Sequence, residues 1–508
     1  MDIYITNRAP ACAARRSLIF QGISCHLQDC GHVQPAPARP RAPLAAAMRL
    51  VRCLCQHPAW GNPFERSVMK SLLISFLIAM AFALPAGAAQ PPLVLEHAAI
   101  IDGTGTAPQK DMTVVIDGER IQAVYRSGEQ AAPEGAKVED LRGHYVIPGL
   151  IDAHVHITDV EPDIAHYKPF FRALLLGGVT TVRDMAGDDR LLGYLARETN
   201  SDAFPAPDLY YAALLSGPTF FQEDRRAQAA SAGDPLGFAP WMQAVGGTTD
   251  IPLAIAEAKG TGATGVKLYA NLPADLVKSL ATEAHRQGLR VWTHATIFPA
   301  SPRDAVDAGA DTISHSPYLV WEAAPHIPSD YAMRAMGDFE HIPPDAPAIL
   351  ALFKDMKAHR TILDATLEVF RMEAEHHPQS VGKGIMAWSY RVTRLAHQQG
   401  IPVDAGTDSP GLPFGKDAPD LDALPEIHTE MALLVEHCGF TPVEAIQAAT
   451  EYSALAVGHG ADRGTITPGK RADLLVLNAN PARDIHNTTK IDFVVKNGTI
   501  HRRRAAAP

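Results

Sequence analysis

Several short apolar segments of this 508-residue chain end in side chains that can bind a metal ion or move a proton. They are His154 and His156 in GLIDAHVH, Lys267 in GVKLYA, His294 in VWTHAT, His315 in TISHSP and Asp408 in AGTDSP. Imidazole and carboxylate groups are the usual protein ligands of zinc and similar first-row ions. Any one of these residues could be an ordinary surface or core residue in a chain with 22 histidines. Their recurrence at the ends of successive apolar segments favours a shared metal site.

The segments that carry these residues belong to a longer alternation of predicted strands and helices. Eight strands are predicted near 147–155, 179–184, 208–215, 264–270, 289–294, 311–315, 361–367 and 401–406. Helices are predicted at 166–176, 188–198, 251–259, 273–287, 302–308, 346–358, 383–399, 421–437 and 442–456. Eight strand–helix units with short links predict an α/β fold with a closed, TIM-like (β/α)₈ barrel. In such a barrel the C-terminal strand ends share one rim, so we expect the metal-binding side chains to converge there.

A different pattern occupies both ends of the chain that follows residue 89. Short strands joined by tight turns are predicted at 93–101, 112–116, 121–125, 473–477, 491–496 and 499–500. Neither end is long enough to bury a core alone. We therefore expect residues 90–146 and 463–504 to pair into one small β-sandwich domain, which leaves residues 147–462 for the barrel.

Residues 69–89 have the layout of a secretory signal peptide. Lys70 is followed by an apolar run, and Ala86-Gly87-Ala88 is a small-residue cleavage pattern. Residues 1–68 are rich in Arg, Pro, Ala and Cys and are interpreted as untranslated, with translation beginning at Met69. The alternative is a disordered extension with the apolar run as an anchor. Cleavage would place the mature protein in a bacterial periplasm or outside the cell.

The net charge of −11 gives no electrostatic reason to bind nucleic acid or an anionic membrane. The expected partner is a small-molecule amide or peptide substrate, with no membrane association after signal cleavage. The sequence leaves the oligomeric state open, a homo-oligomer included.

The quoted motifs resemble those of the amidohydrolase superfamily of metal-dependent hydrolases. GGVTTVRDM at 177–185 and RGTITPGKRADLLVLNANP at 463–481 extend the resemblance, which covers roughly residues 93–500. Within that superfamily the chain is similar to the binuclear branch with a carboxylated lysine, which includes imidazolonepropionase-like and Xaa-Pro dipeptidase-like proteins.

The resemblance implies a centre of two divalent metal ions, zinc in preference. His154, His156 and Asp408 would hold one ion, and His294 and His315 the second. Lys267 would be carboxylated by carbon dioxide and bridge them. Two cations about 3.5 Å apart repel each other, and a carbamate supplies an anionic bridge that a lysine amine cannot.

The resemblance also implies a mechanism. A hydroxide held between the metals would attack the substrate carbonyl, and Asp408 would carry its proton to the departing nitrogen. Tyr269 lies two residues after Lys267, hence on the same strand face, and is expected to stabilise the oxyanion. The alternative for Tyr269 is a packed wall residue.

The function expected is hydrolysis of a C–N amide bond in a dipeptide, an N-acyl amino acid or a cyclic amide. One alternative is a lactonase or esterase that uses the same binuclear site. Another is a mononuclear deaminase-like hydrolase, although the Glu usual near the strand-five histidine of that class is absent beside His294. A catalytically dead binding module is disfavoured because all six ligand positions are filled.

Overall fold

The computed structural model describes residues 91–159, 164–201, 204–223, 227, 231, 233–413 and 420–502. The predictions for residues 1–68 and for the signal peptide at 69–89 lie outside the described residues. No helix in the described ranges is both long enough and apolar enough to cross a membrane.

Strands and helices alternate through most of the described chain. In chain order the strands are β1 (Leu93–Ile100), β2 (Gln109–Asp117), β3 (Arg120–Arg126), β4 (Lys137–Asp140), β5 (Tyr145–Pro148), β6 (Leu150–Val155), β7 (Val179–Asp184), β8 (Asp208–Ser216), β9 (Phe238–Ala239), β10 (Met242–Ala244), β11 (Gly265–Leu268), β12 (Arg290–His294), β13 (Thr312–Ser314), β14 (Ile362–Asp364), β15 (Val403–Asp404), β16 (Leu474–Leu477), β17 (Ile491–Lys496) and β18 (Thr499–His501). The helices are α1 (Ile164–Leu176), α2 (Asp189–Thr199), α3 (Pro218–Glu223), α4 (Ile251–Gly260), α5 (Ala274–Arg286), α6 (Pro302–Asp307), α7 (Pro347–His359), α8 (Leu367–His376), α9 (Ile385–Gln398), α10 (Ile427–Cys438), α11 (Pro442–Gln447) and α12 (Ser453–Val457).

The predicted small β domain from both ends of the chain is confirmed. Its strands form one sheet in the order β18-β17-β16-β5-β1-β2-β3, with β4 paired to β1. The two ends meet where β5 and β16 pair antiparallel, Val146 opposite Val476. Strand alternation divides β16 between two cores, since Leu474 and Val476 face the small domain whereas Leu475 and Leu477 join the barrel core.

The predicted parallel barrel is also confirmed. Strands β6, β7, β8, β11, β12, β13, β14 and β15 pair in that order, all parallel. The barrel nearly closes between β15 and β6, where the amide of Ala153 donates to the carbonyl of Ala405 at 3.0 Å. Just beyond, the amide of Asp408 donates to the carbonyl of His154 at 2.8 Å. These bonds bring the first and last rim segments together.

Two segments differ from the sequence expectation. Helix α8 follows β14 directly, where no helix is predicted. The long connection between β8 and α4, for which no helix or strand is predicted, contains α3 and the short strands β9 and β10. Strand β10 pairs in parallel with the second half of β8. Both segments lie on βα connections, at the end of the barrel where enzymes of this fold place their sites.

Candidate metal centre at the barrel rim

The strand ends bring the predicted metal-binding side chains to one rim. His154, Lys267 and His294 lie on β6, β11 and β12, while His315 directly follows β13. These four side chains are buried, and Lys267 has no exposed surface. His156 and Asp408 lie nearer solvent, each with 19% of its side chain exposed.

One half of the cluster is centred on Asp408. Its Oδ1 atom lies 3.3 Å from Nε2 of His154 and 3.0 Å from Nε2 of His156. Its Oδ2 atom lies 3.7 Å from Nδ1 of His315. Ligating atoms of His154, His315 and Asp408 all lie within 4.8 Å of one another. Tetrahedral zinc with bonds of about 2.0–2.1 Å holds its ligand atoms about 3.3 Å apart, so this donor set fits such an ion.

The other half of the cluster contains His294 and His315, whose ring centroids lie 4.7 Å apart. Nδ1 of His294 is buried and has no hydrogen-bond partner among the described residues. A buried imidazole nitrogen left unpaired costs free energy unless a ligand satisfies it. Tyr269, the predicted oxyanion donor, packs its ring 4.2 Å from that of His294 and lines the same cavity.

Lys267 joins this cluster through a buried relay. Its Nζ donates to Oγ of Ser314 at 3.1 Å, and that hydroxyl donates to Oδ2 of Asp364 at 2.9 Å. The same carboxylate oxygen lies 2.6 Å from Nδ1 of His154. The amine therefore lies in the histidine cluster, at its floor.

Electrostatics match metal binding. Burial, followed by the charge of Lys267, holds the pKa of His294 well below its usual range, and burial does the same for His315. Both imidazoles are then neutral, the form that ligates metals. Burial raises the pKa of Asp408, but the charge of His154 and hydrogen bonds from His154 and His156 outweigh it and hold that pKa well below its usual range. The carboxylate is ionised at neutral pH.

Sequence reasoning missed the residues that form hydrogen bonds to the predicted metal ligands. Asp364 on β14 accepts from His154, and Oγ1 of Thr366 lies 2.9 Å from Nδ1 of His315. Gly406 shows how tightly this layer packs, because a Cβ atom there would lie 2.6 Å from both Asp364 and His154. The one available signal was a polar Asp and Thr at the end of the seventh predicted strand.

Two charged residues at the end of β7 contact the barrel framework. Arg183 is buried, 3.6 Å from Asp364 and 3.9 Å from Asp404. Asp184 accepts from the amide of Ile157 at 2.7 Å.

Glu430 and His428 of α10 also make framework contacts. The two carboxylate oxygens of Glu430 accept from the first amides of α8, Leu367 at 3.0 Å and Glu368 at 2.7 Å. Nε2 of His428 lies 2.9 Å from the carbonyl of Gly177.

Comparison with known families identifies the chain. The model of the amidohydrolase family matches residues 145–501, which include the whole barrel and the rim described above. The chain belongs to the amidohydrolase family. It is therefore a hydrolase, and the histidine and aspartate cluster occupies the end of the barrel where such enzymes carry their metals.

Named relatives are similar over different lengths. This amidohydrolase is 24% identical over 416 residues to an imidazolonepropionase of Streptomyces griseus subsp. griseus, covering 76% of the chain and 90% of the relative. An allantoinase of Streptomyces avermitilis is 38% identical over 96 residues, only 20% of its length. The solved structure of an Xaa-Pro dipeptidase with bound methionine superposes with a TM-score of 0.63 at 20% identity, covering 81% of this chain and 100% of that one. That structural likeness concerns the fold.

The rim opens into a cavity of about 150 Å³. Its floor is the histidine and aspartate cluster, and aromatic rings of Tyr269, Tyr318, Tyr331 and Phe370 form its walls. Tyr318 lies in the long connection after β13. A site of this form binds a small molecule with an apolar part and presents its polar atoms to the floor.

Proposed function

We propose that this amidohydrolase cleaves a C–N amide bond with two divalent cations, zinc in preference. His154, His156 and Asp408 would hold one ion and His294 and His315 the other. The observation that carries the proposal is the convergence of these side chains, with an unpaired buried Nδ1 on His294, at the floor of one cavity. Cations bound there would polarise the substrate carbonyl and lower the pKa of water.

Lys267 is proposed to carry a carbamate. Burial lowers the pKa of its amine to about 7, so a large neutral fraction exists at neutral pH. The neutral Nζ attacks carbon dioxide, a nitrogen–carbon bond forms, and one proton leaves. The product is an anion, which suits a position between two cations better than an ammonium does. Ser314, which accepts from Nζ, would orient the group.

Asp408 and Tyr269 supply the remaining chemistry of the chain. The ionised Asp408 carboxylate takes a proton from the attacking water and returns it to the nitrogen as the C–N bond breaks. Tyr269 faces the cavity beside His294, where its hydroxyl would donate to the developing oxyanion.

The test combines metal analysis with a substrate screen. Dipeptides, N-acyl amino acids, cyclic amides and lactones are offered to the zinc-loaded protein, and ions per chain are counted. We expect amide turnover and close to two ions.

Lys267→Ala should lose bound metal and activity, with partial rescue by short carboxylic acids, whereas Lys278→Ala, on exposed α5 surface, should change neither. Turnover of lactones alone would contradict the amide assignment, and one ion per chain would favour the mononuclear alternative.

We also propose that the chain is exported and that residues 69–89 are removed. The proposal is supported by the sequence layout of this segment, in which Lys70 precedes an apolar run and the small-residue pattern Ala86-Gly87-Ala88. Expression of the full chain in a bacterium with N-terminal mass spectrometry tests this. A cytosolic product that retains residues 69–89 would refute it.

A further inference from the structure

Two oppositely charged side chains line the same cavity as the aromatic residues. Arg334 comes from the long connection after β13, and Glu373 comes from α8. Both side chains are partly buried. Neither residue is among the predicted metal ligands, and both side chains border the space where a substrate would lie.

Ring contacts that begin at His294 in the metal cluster position Arg334. The ring of Tyr331 stacks on that of His294, with centroids 5.1 Å apart and planes 3° from parallel. The guanidinium carbon of Arg334 then lies 4.4 Å from the Tyr331 centroid. The amide of Tyr331 donates to Oδ1 of Asn271 at 3.2 Å, which ties this segment to the rim after β11. One aromatic ring therefore separates a predicted metal ligand from a cation.

The position of Glu373 follows from the anchoring of α8. Glu430 holds the first amides of that helix, and Thr366, just before it, contacts His315. Val369 and Glu373, four residues apart, share the helix face that lines the cavity. The neighbouring cation of this helix, Arg371, is engaged by Glu368 and Glu375. Among the described residues no ion pair involves Glu373.

We propose that this cavity selects a zwitterionic substrate, with Arg334 binding its free carboxylate and Glu373 its free ammonium group. The inference rests on the proposed amide hydrolysis and narrows it. A free dipeptide has both charges, one on each side of its amide bond. An N-acyl amino acid lacks the ammonium group, and an uncharged cyclic amide or lactone lacks both. The aromatic and aliphatic residues that also line the cavity suit apolar side chains on the substrate.

The test uses one dipeptide in three forms with the metal-loaded full chain. The forms are the fastest dipeptide of a screen, its C-terminal amide and its N-acetyl derivative. We expect the free dipeptide to be preferred over both. Arg334→Gln should lower kcat/KM about 30-fold for the dipeptide and its N-acetyl derivative, because a charge-assisted hydrogen bond is lost. It should leave the C-terminal amide unchanged.

Glu373→Gln gives the complementary pattern. It should lower kcat/KM for the dipeptide and its C-terminal amide and leave the N-acetyl derivative unchanged. The matched controls are Glu375→Gln, on the same helix but outside the cavity lining, and Arg391→Gln on exposed α9 surface. Neither should alter the preference among the three forms.

The outcomes separate this inference from the proposed function. Equal losses on all three forms would make Arg334 or Glu373 structural and overturn the inference while amide hydrolysis stands. A wild-type enzyme that cleaves the N-acetyl or amide form as fast as the free dipeptide would do the same. Failure to cleave any amide would overturn both.

Discussion

His154 illustrates how a residue behind a ligand decides what the ligand can do. An imidazole has two nitrogens, and the one that faces a metal must be unprotonated. Asp364 Oδ2 lies 2.6 Å from Nδ1 of His154, so it accepts the ring proton there and leaves Nε2 to face Asp408. Such carboxylate–histidine pairs orient metal ligands and raise their basicity.

Asp364→Asn should therefore weaken metal binding without unfolding the protein. The amide can still occupy the space, but it no longer carries the charge that favours a proton on Nδ1. We expect metal affinity to fall about 10–100-fold, measured by zinc titration against a competing chelator. Asp311→Asn is the control, because Asp311 lies at the opposite end of the barrel beside Arg290. Wild-type zinc affinity in Asp364→Asn would show that the pair does not tune the site.

The rim could be predicted from the sequence because the side-chain period of a strand is simple. His154 and His156 lie two apart on one face, and the other candidates each end an apolar run. Asp364 and Thr366 lie two apart in the predicted strand 361–367, but neither residue type at that position indicates by itself which ligand it would contact. Their importance comes from contacts with β6 and β13, which only the folded barrel creates.

Elements at the rim leave regular strand geometry where the site begins. His315, Thr366 and Asp408 all follow barrel strands and have positive φ angles of 78°, 49° and 54°. This region is unfavourable for residues with a side chain, so packing around the rim must hold it. Hydrogen bonds to neighbouring elements do so, and the cap on α8 is the clearest of them. Local helix propensity alone does not predict a helix that begins at Leu367, because the group that caps the helix belongs to Glu430, 63 residues away.

Removal of this cap should loosen α8. Burial raises the pKa of Glu430 well above its usual range, and its two oxygens accept from two buried amides. Glu430→Ala leaves both donors without a partner and should cost about 2–4 kcal/mol of unfolding free energy, with a higher KM because α8 lines the cavity. Glu430→Gln retains an acceptor of the same shape and should lose much less. Urea unfolding and steady-state kinetics measure both effects, and equal losses in the two variants would refute the capping role.

At the scale of the described chain, a buried charge cluster joins the barrel to the small β domain, in addition to the packing of β16 against the barrel core. Asp208, at the start of β8 in the barrel, pairs with Arg463 at 2.6 Å and with Lys496 of β17 at 3.0 Å. Asp473, just before β16, also pairs with Lys496, at 3.1 Å. The sequence predicted both domains because strand and turn patterns are local. It did not predict this cluster, because Asp208 lies 255 residues from Arg463 and 288 residues from Lys496. The small domain is therefore expected to unfold together with the barrel.

Asp208→Asn should show how much that cluster contributes. The carboxylate is 3% exposed, and its loss leaves two buried cations with one anion fewer, a change that costs about 3–5 kcal/mol for buried pairs.

Burial raises the pKa of Asp208, but Lys496 and then Arg463 outweigh it, so the folded-state pKa lies below the usual value. A depressed carboxyl pKa stabilises the fold above the unfolded-state pKa, and this contribution is lost as pH falls through the folded-state pKa. The stability gap between wild type and Asp208→Asn should therefore be constant from about pH 5 to 8 and narrow below about pH 4. Urea unfolding across that range measures it, with the exposed Asp117→Asn as control. A gap that stays constant into acid would show that Asp208 acts through shape and not through its charge.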